Sequence, residues 1–102
     1  MVEKLLLKVK ANLILHHDED DELLLDFIHS AISYAEGFQK RKYNSGSRMS
    51  ASTSQAVIML SSHFYESRDG STGGFFADHV GAAKQVWDAV NRLLGMGKRW
   101  GF

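Results

Sequence analysis

The densest run of ionisable side chains is Asp18, Glu19, Asp20, Asp21 and Glu22, with His16 and His17 directly ahead of it. Carboxylates and imidazoles bind divalent cations, but a calcium-binding helix-loop-helix needs oxygen ligands at alternating positions, a glycine at the turn and a closing glutamate. This run has neither the spacing nor the glycine. It reads instead as an acidic helix start, where free backbone N-H groups welcome negative charge, with Asp18 as the expected N-cap. His29, His63 and His79 fall on three separate predicted elements, and no pair has the four-residue interval of a helical zinc motif. They read as ordinary hydrogen-bonding histidines, with convergence in space left open.

Ser61, Ser62, His63 and Glu66 supply the ingredients of a hydrolase. A serine nucleophile needs a strained turn, an oxyanion hole and an oriented base, which serines inside a regular helix lack. Gly70, Gly73 and Gly74 resemble a phosphate cradle only in composition, because no lysine stands where one is required and the segment follows a predicted helix instead of a strand. The basic group Lys40, Arg41 and Lys42, with Tyr43 beside it and Arg48 nearby, could touch phosphates. In a neutral chain such a patch reads more readily as a solvated or intersubunit surface. The expectation is a protein that works without catalysis, metal or cofactor.

Composition narrows the classes further. Twelve basic and twelve acidic side chains cancel in a chain of 102 residues, so the surplus positive charge by which non-specific DNA binders release counterions is missing. No cysteine is present, which excludes disulfides, thiolate metal sites and cysteine nucleophiles and fits synthesis in the cytoplasm. With 44% hydrophobic and 24% charged residues the chain has the balance of one ordinary globular domain spanning residues 1–102. Lys8 and Lys10 interrupt the apolar run that starts at Leu5, so no export signal or membrane anchor is expected.

Proline is absent altogether, and helices can run long. Leu6, Val9, Lys10 and Leu13 share one face of a first helix over residues 3–13. A second helix extends to about Phe38, with Leu24, Phe27, Ile28, Ala31, Ala35 and Phe38 as its stripe, and Leu23, Leu25, Ile32 and Tyr34 widen its apolar surface. That excess could face a second layer of core, a neighbouring subunit, or both. Residues 39–53 read as a long, flexible, polar loop with no buried element. Ser52, Thr53 or Ser54 then caps a third helix reaching about Arg68, with Val57, Leu60, His63 or Phe64, and Ser67 along one face. Phe75 and Phe76 should plug a glycine-rich loop, and a fourth helix should cover about Val80 to Leu94 with Gly95 as its stop. The class is all-α, a small bundle of about four helices, with a short tail from residue 95 to 102.

Four stretches in this order give the chain a resemblance. They are LLLKVKANLIL (Leu5 to Leu15), the acidic start and helix with Asp18 to Phe38 as its core, QAVIMLSSHFYESRD (Gln55 to Asp69), and the closing VNRLLGMGKRWGF (Val90 to Phe102). The third stretch stands close to a His-x-x-Tyr-x-x-Arg pattern through His63, Tyr65, Glu66 and Arg68, with the tyrosine one place early. Together they resemble the head-tail connector proteins of long-tailed bacteriophages, often labelled DNA-packaging proteins. Two departures concern the linkers: Ser52 to Ser54 stand where the family often has a proline, and His16 and His17 replace a more polar turn.

The resemblance implies a structural protein of the virion head-tail junction. Copies would form a ring, matching a twelvefold portal, that extends the DNA channel and receives a stopper or tail protein. DNA would pass without sequence-specific contact, and no membrane is involved. On this reading Asp18, Glu19, Asp20, Asp21 and Glu22 are candidates to line the channel, and Lys40, Arg41, Lys42, Tyr43 and Arg48 to meet neighbours or the portal. Lys98, Arg99, Trp100 and Phe102 combine charge with large aromatics of the kind that anchor interfaces, and they are candidates to dock on the portal. The other class kept open is a small helical nucleic-acid-binding regulator using the basic linker and the third helix.

Overall fold

A computed structural model of the chain describes residues 2–43, 49–67 and 73–96, with backbone alone for 73–83. The described residues form four helices, α1 (Val2–Leu13), α2 (Asp21–Gln39), α3 (Ala51–Ser67) and α4 (Gly73–Met96), and contain no strand. The all-α bundle expected from apolar periodicity is therefore the fold.

In α1, Leu5 and Val9 lie one turn apart and are buried, while Leu6 and Leu13 pack half-buried against the same core. The helix ends in a Schellman arrangement. The Ile14 N-H donates to the Ala11 carbonyl at 3.2 Å and the Leu15 N-H to the Lys10 carbonyl at 2.9 Å, with Ile14 left-handed at φ 57°. Glycine is the usual residue there, because a side chain in this conformation meets the backbone and β-branching worsens the clash.

The second helix starts later than the charge pattern suggested. Asp18 is not its cap: the Asp21 N-H closes a turn onto the Asp18 carbonyl at 3.3 Å, and the Leu24 N-H makes the first helical bond, to Asp20, at 2.8 Å. Asp20 holds the N-cap position without a side-chain capping bond. The reason is competition, since the Asp18 carboxylate is held by Lys10 and that of Asp20 by Tyr65. At the other end Lys40 is left-handed (φ 56°) and its N-H donates to the Glu36 carbonyl.

The connection after α2 was expected to carry nothing buried, yet Gln39, Tyr43 and Thr53 are all inside. The Tyr43 N-H donates to Glu36 Oε2 at 2.7 Å, which turns the chain back under the helix end, and the Tyr43 hydroxyl donates to Gln39 Oε1 at 2.5 Å. Gln39 Nε2 donates in turn to Thr53 Oγ1 at 2.9 Å and to the Leu94 carbonyl at 3.0 Å. One amide thus ties together the ends of three helices and the loop.

The cap of α3 is Ser50, not Ser52, Thr53 or Ser54. Ser50 Oγ accepts from the Thr53 N-H at 3.2 Å, and the Ser50 carbonyl accepts from the Ser54 N-H at 2.9 Å. Helix α3 touches the other three helices and buries Thr53, Ala56, Val57, Ile58, Leu60, Ser61 and Ser62. So many small residues let neighbouring axes approach closely, which suits the central element of a thin bundle. Leu24, Ile28, Ala31 and Ala35 from α2 and Val90 and Leu94 from α4 complete the core. Removing the side chain of Leu24 or Leu60 beyond Cβ should cost about 2–5 kcal/mol.

Helix α4 begins at Gly73 instead of near Val80, so Phe75 and Phe76 belong to a helix and not to a plugging loop. Gly73 and Gly74 stand in its first turn, where N-H groups have no partner within the helix, so the penalty of about 1 kcal/mol that each glycine brings to a helix interior falls less heavily there. Gly95 is not a stop either, because the helix continues to Met96. The Cα framework of the bundle is a slab of 45 × 30 × 17 Å, about two helix layers deep.

Candidate functional site

The acidic run, the best candidate for chemistry by density alone, is partly engaged by contacts inside the subunit. Lys10, placed by its spacing on the apolar face of α1, has a side chain only 14% exposed, and its Nζ reaches Asp18 Oδ1 at 2.5 Å and Asp21 Oδ1 at 2.8 Å. Its alkyl stem lies along the bundle while the ammonium comes up between two carboxylates. The hydrogen bonds to Asp18 and then Asp21 raise the Lys10 pKa above 10.5. The hydrogen bond from Lys10, followed by its charge, lowers the pKa of Asp18 below 3.8. The Tyr65 hydroxyl donates to Asp20 Oδ2, joining the start of α2 to α3. Glu19 and Glu22 remain exposed with no ion pair among the described residues. His16 and His17 are exposed, and among the described residues no group of three or more His, Asp or Glu is arranged to hold a metal.

The hydrolase ingredients do not assemble. Ser61 is fully buried with its hydroxyl unpartnered, Ser62 accepts a hydrogen bond from Asn12 Nδ2 at 2.9 Å, and Glu66 is exposed. His63 packs edge-on against Trp87, with ring centres 6.5 Å apart. The His79 side chain lies outside the described residues. His63 and Trp87 belong to an aromatic wedge. Tyr34 meets Trp87 edge-on at 5.1 Å, Phe64 lies 6.2 Å from Trp87, and Phe27 lies 6.0 Å from Phe64. The Tyr34 hydroxyl donates to Asn91 Oδ1 at 2.5 Å. The wider apolar surface of α2 is divided, with Ile32 buried and Tyr34 clamped to α4, while Leu23 and Leu25 stay partly exposed outside the core cluster.

The basic cluster splits in two. Lys40, Arg41 and Lys42 are exposed, and Lys42 Nζ lies 4.0 Å from Glu36 Oε1. Tyr43 is buried, with the Arg41 guanidinium carbon 4.8 Å from its ring centre. A ring enclosed in this way cannot stack on a nucleotide base, which weakens the regulator reading. Arg48 lies outside the described residues, as do Lys98, Arg99, Trp100 and Phe102.

Among the described residues the exposed large apolar side chains are Leu7 (69%), Ile14 (74%) and Met96. The uncovered apolar surface therefore sits on α1 and at the end of α4 more than on α2. Sequence reasoning counted α1 as a face for the core and missed that Leu7 stands on the opposite side. The signal was available, because Leu7 is out of phase with Leu6, Val9 and Leu13.

What remains is a thin helical slab whose described surface offers charged faces and a few exposed apolar side chains. Residues 3–93 match the family described as Phage gp6-like head-tail connector protein. The chain belongs to that family. Its role is accordingly that of a structural connector of the phage particle, at the head-tail junction and in contact with other head and tail proteins. No curated protein and no solved structure matches it. No described helix of this connector is long and apolar enough to cross a membrane.

Proposed function

We propose that the chain is one subunit of a ring, twelvefold in the particle, that sits below the portal, extends the DNA channel and receives the stopper or tail protein. The observation that carries this reading is the connector-family match across residues 3–93. The physical features support it. A slab 17 Å thick can stand as one segment of a ring wall, and exposed apolar side chains on α1 want a cover that the described subunit does not supply.

The acidic connector between α1 and α2 faces the channel, where negative charge keeps passing DNA from sticking. Glu19 carries that role most freely, because Asp18 and Asp21 share the single charge of Lys10 and Asp20 is held by Tyr65. Lys40, Arg41 and Lys42 meet a neighbour or the portal. Lys98, Arg99, Trp100 and Phe102 dock on the portal through aromatic anchors. The test is removal of the chain from the phage that encodes it. Filled heads and finished tails should accumulate unjoined, and normally joined particles would refute the proposal.

A further inference from the structure

The outward face of α1 combines charge and grease in a way the subunit does not use. Lys4, Leu7, Lys8 and Ala11 are exposed and lie on one side of the helix, and Ile14 extends that stripe just beyond its end. Among the described residues Lys4 and Lys8 make no ion pair. Ile14 is left-handed, β-branched and exposed, so it bears backbone strain that no burial in the subunit offsets. On α2, Glu22 and Asp26 are also exposed on one face with no ion pair among the described residues. Two unpaired cations thus stand on the outward side of α1, with the acidic Glu3 at its border, and two unpaired anions stand on α2.

We infer that these two faces bind each other between copies: Lys4, Leu7, Lys8, Ala11 and Ile14 of one subunit dock on the Glu22–Asp26 ridge of the next. This rests on the ring reading and names its subunit contact. The registers agree, since Lys4 to Lys8 and Glu22 to Asp26 are both four-residue intervals, each advancing about 6 Å along its helix. Two lysines can therefore meet two carboxylates at once, while Leu7 and Ile14 supply the apolar centre that charges alone lack. Because the two faces are different patches, copies can join head to tail, and a joined pair still leaves one face of each kind free, as a closing ring requires.

Charge exchange on the full-length chain tests the pairing. The Lys4→Glu/Lys8→Glu variant presents acid on both faces, and the Glu22→Lys/Asp26→Lys variant presents base on both. Because all four positions are exposed, each variant should keep its helical circular dichroism, and only Glu22→Lys/Asp26→Lys should melt slightly lower, since Glu22 stands in the first turn of α2. Sedimentation of each alone at low salt should show self-association weakened about 10-fold to 100-fold relative to the unsubstituted chain. An equimolar mixture should recover it, since the acidic α1 of one variant now meets the basic α2 of the other. Self-association of the unsubstituted chain that neither variant weakens, or a mixture no better than its components, would overturn this pairing and leave the ring itself standing. An unsubstituted chain that stays monomeric at millimolar concentration and low salt would overturn both.

Discussion

Replacing Gln39 with methionine removes a polar hub while nearly conserving side-chain volume. Gln39 is 6% exposed and makes three hydrogen bonds, from the Tyr43 hydroxyl and to Thr53 Oγ1 and the Leu94 carbonyl. Each is worth about 1 kcal/mol, and partners left buried without replacement cost more than the mean bond. Thr53 Oγ1 keeps the hydrogen bond it accepts from Ser50 Oγ at 2.9 Å, so the penalty falls mainly on Tyr43 and Leu94. Gln39→Met should therefore destabilise the chain by about 2–4 kcal/mol, a large share of the 5–15 kcal/mol typical of a domain. Urea denaturation followed at 222 nm should show the midpoint falling with an unchanged slope. Tyr43→Phe alone should cost about 1 kcal/mol. In the Gln39→Met background the same change should cost nothing or stabilise, because it removes a hydroxyl already left unpaired. If Gln39→Met lies within about 0.5 kcal/mol of the unsubstituted protein, or Tyr43→Phe costs the same in both backgrounds, the hub does not couple the loop to the helix ends.

Ile14→Gly should stabilise the monomer by about 0.5–1 kcal/mol, because relief of left-handed strain outweighs the added chain entropy of glycine. The same change should weaken association between copies, and a lower melting temperature would contradict the strain argument. The Lys10–Asp18 pair gives a pH window. Asp18 has a lowered pKa, so its contribution is present above about 3.8 and fades as pH falls through the lowered value, whereas that of Lys10, whose pKa is raised, is present below 10.5 and fades as pH climbs through the raised value. Lys10→Met should flatten stability at both ends of this range when melting is followed against pH, and an unchanged profile would remove the pair from the account. Deleting residues 97–102 should leave a folded chain that no longer joins heads to tails, with circular dichroism and particle joining as the two readouts.

The helices themselves were readable because their core positions are apolar at helical spacing: Val9 in α1, Leu24, Ile28, Ala31 and Ala35 in α2, Val57 and Leu60 in α3, and Val90 and Leu94 in α4. The corrections share a physical cause. Asp18 looked like a cap because local rules favour it, but a lysine eight residues upstream competes for its carboxylate, and that pairing exists only once the chain has turned. Tyr43 sat in a polar stretch that read as solvent-exposed, while its hydroxyl finds Gln39 only across the end of α2. The burial of Thr53, Ser61 and Ser62 is not legible in the sequence, because small polar side chains do not announce a place in a tightly packed central helix. The candidate surfaces were half legible. The acidic run is visible in the sequence, but only three dimensions separate the carboxylates already engaged by Lys10 and Tyr65 from Glu19, Glu22 and Asp26.

Cryo-electron microscopy of the neck of the phage particle that encodes this chain addresses the connector role most directly. A closed ring of four-helix slabs coaxial with the portal, with α1 of each copy against α2 of the next, is the expected density. A neck whose rings are fully accounted for by other chains would contradict the account.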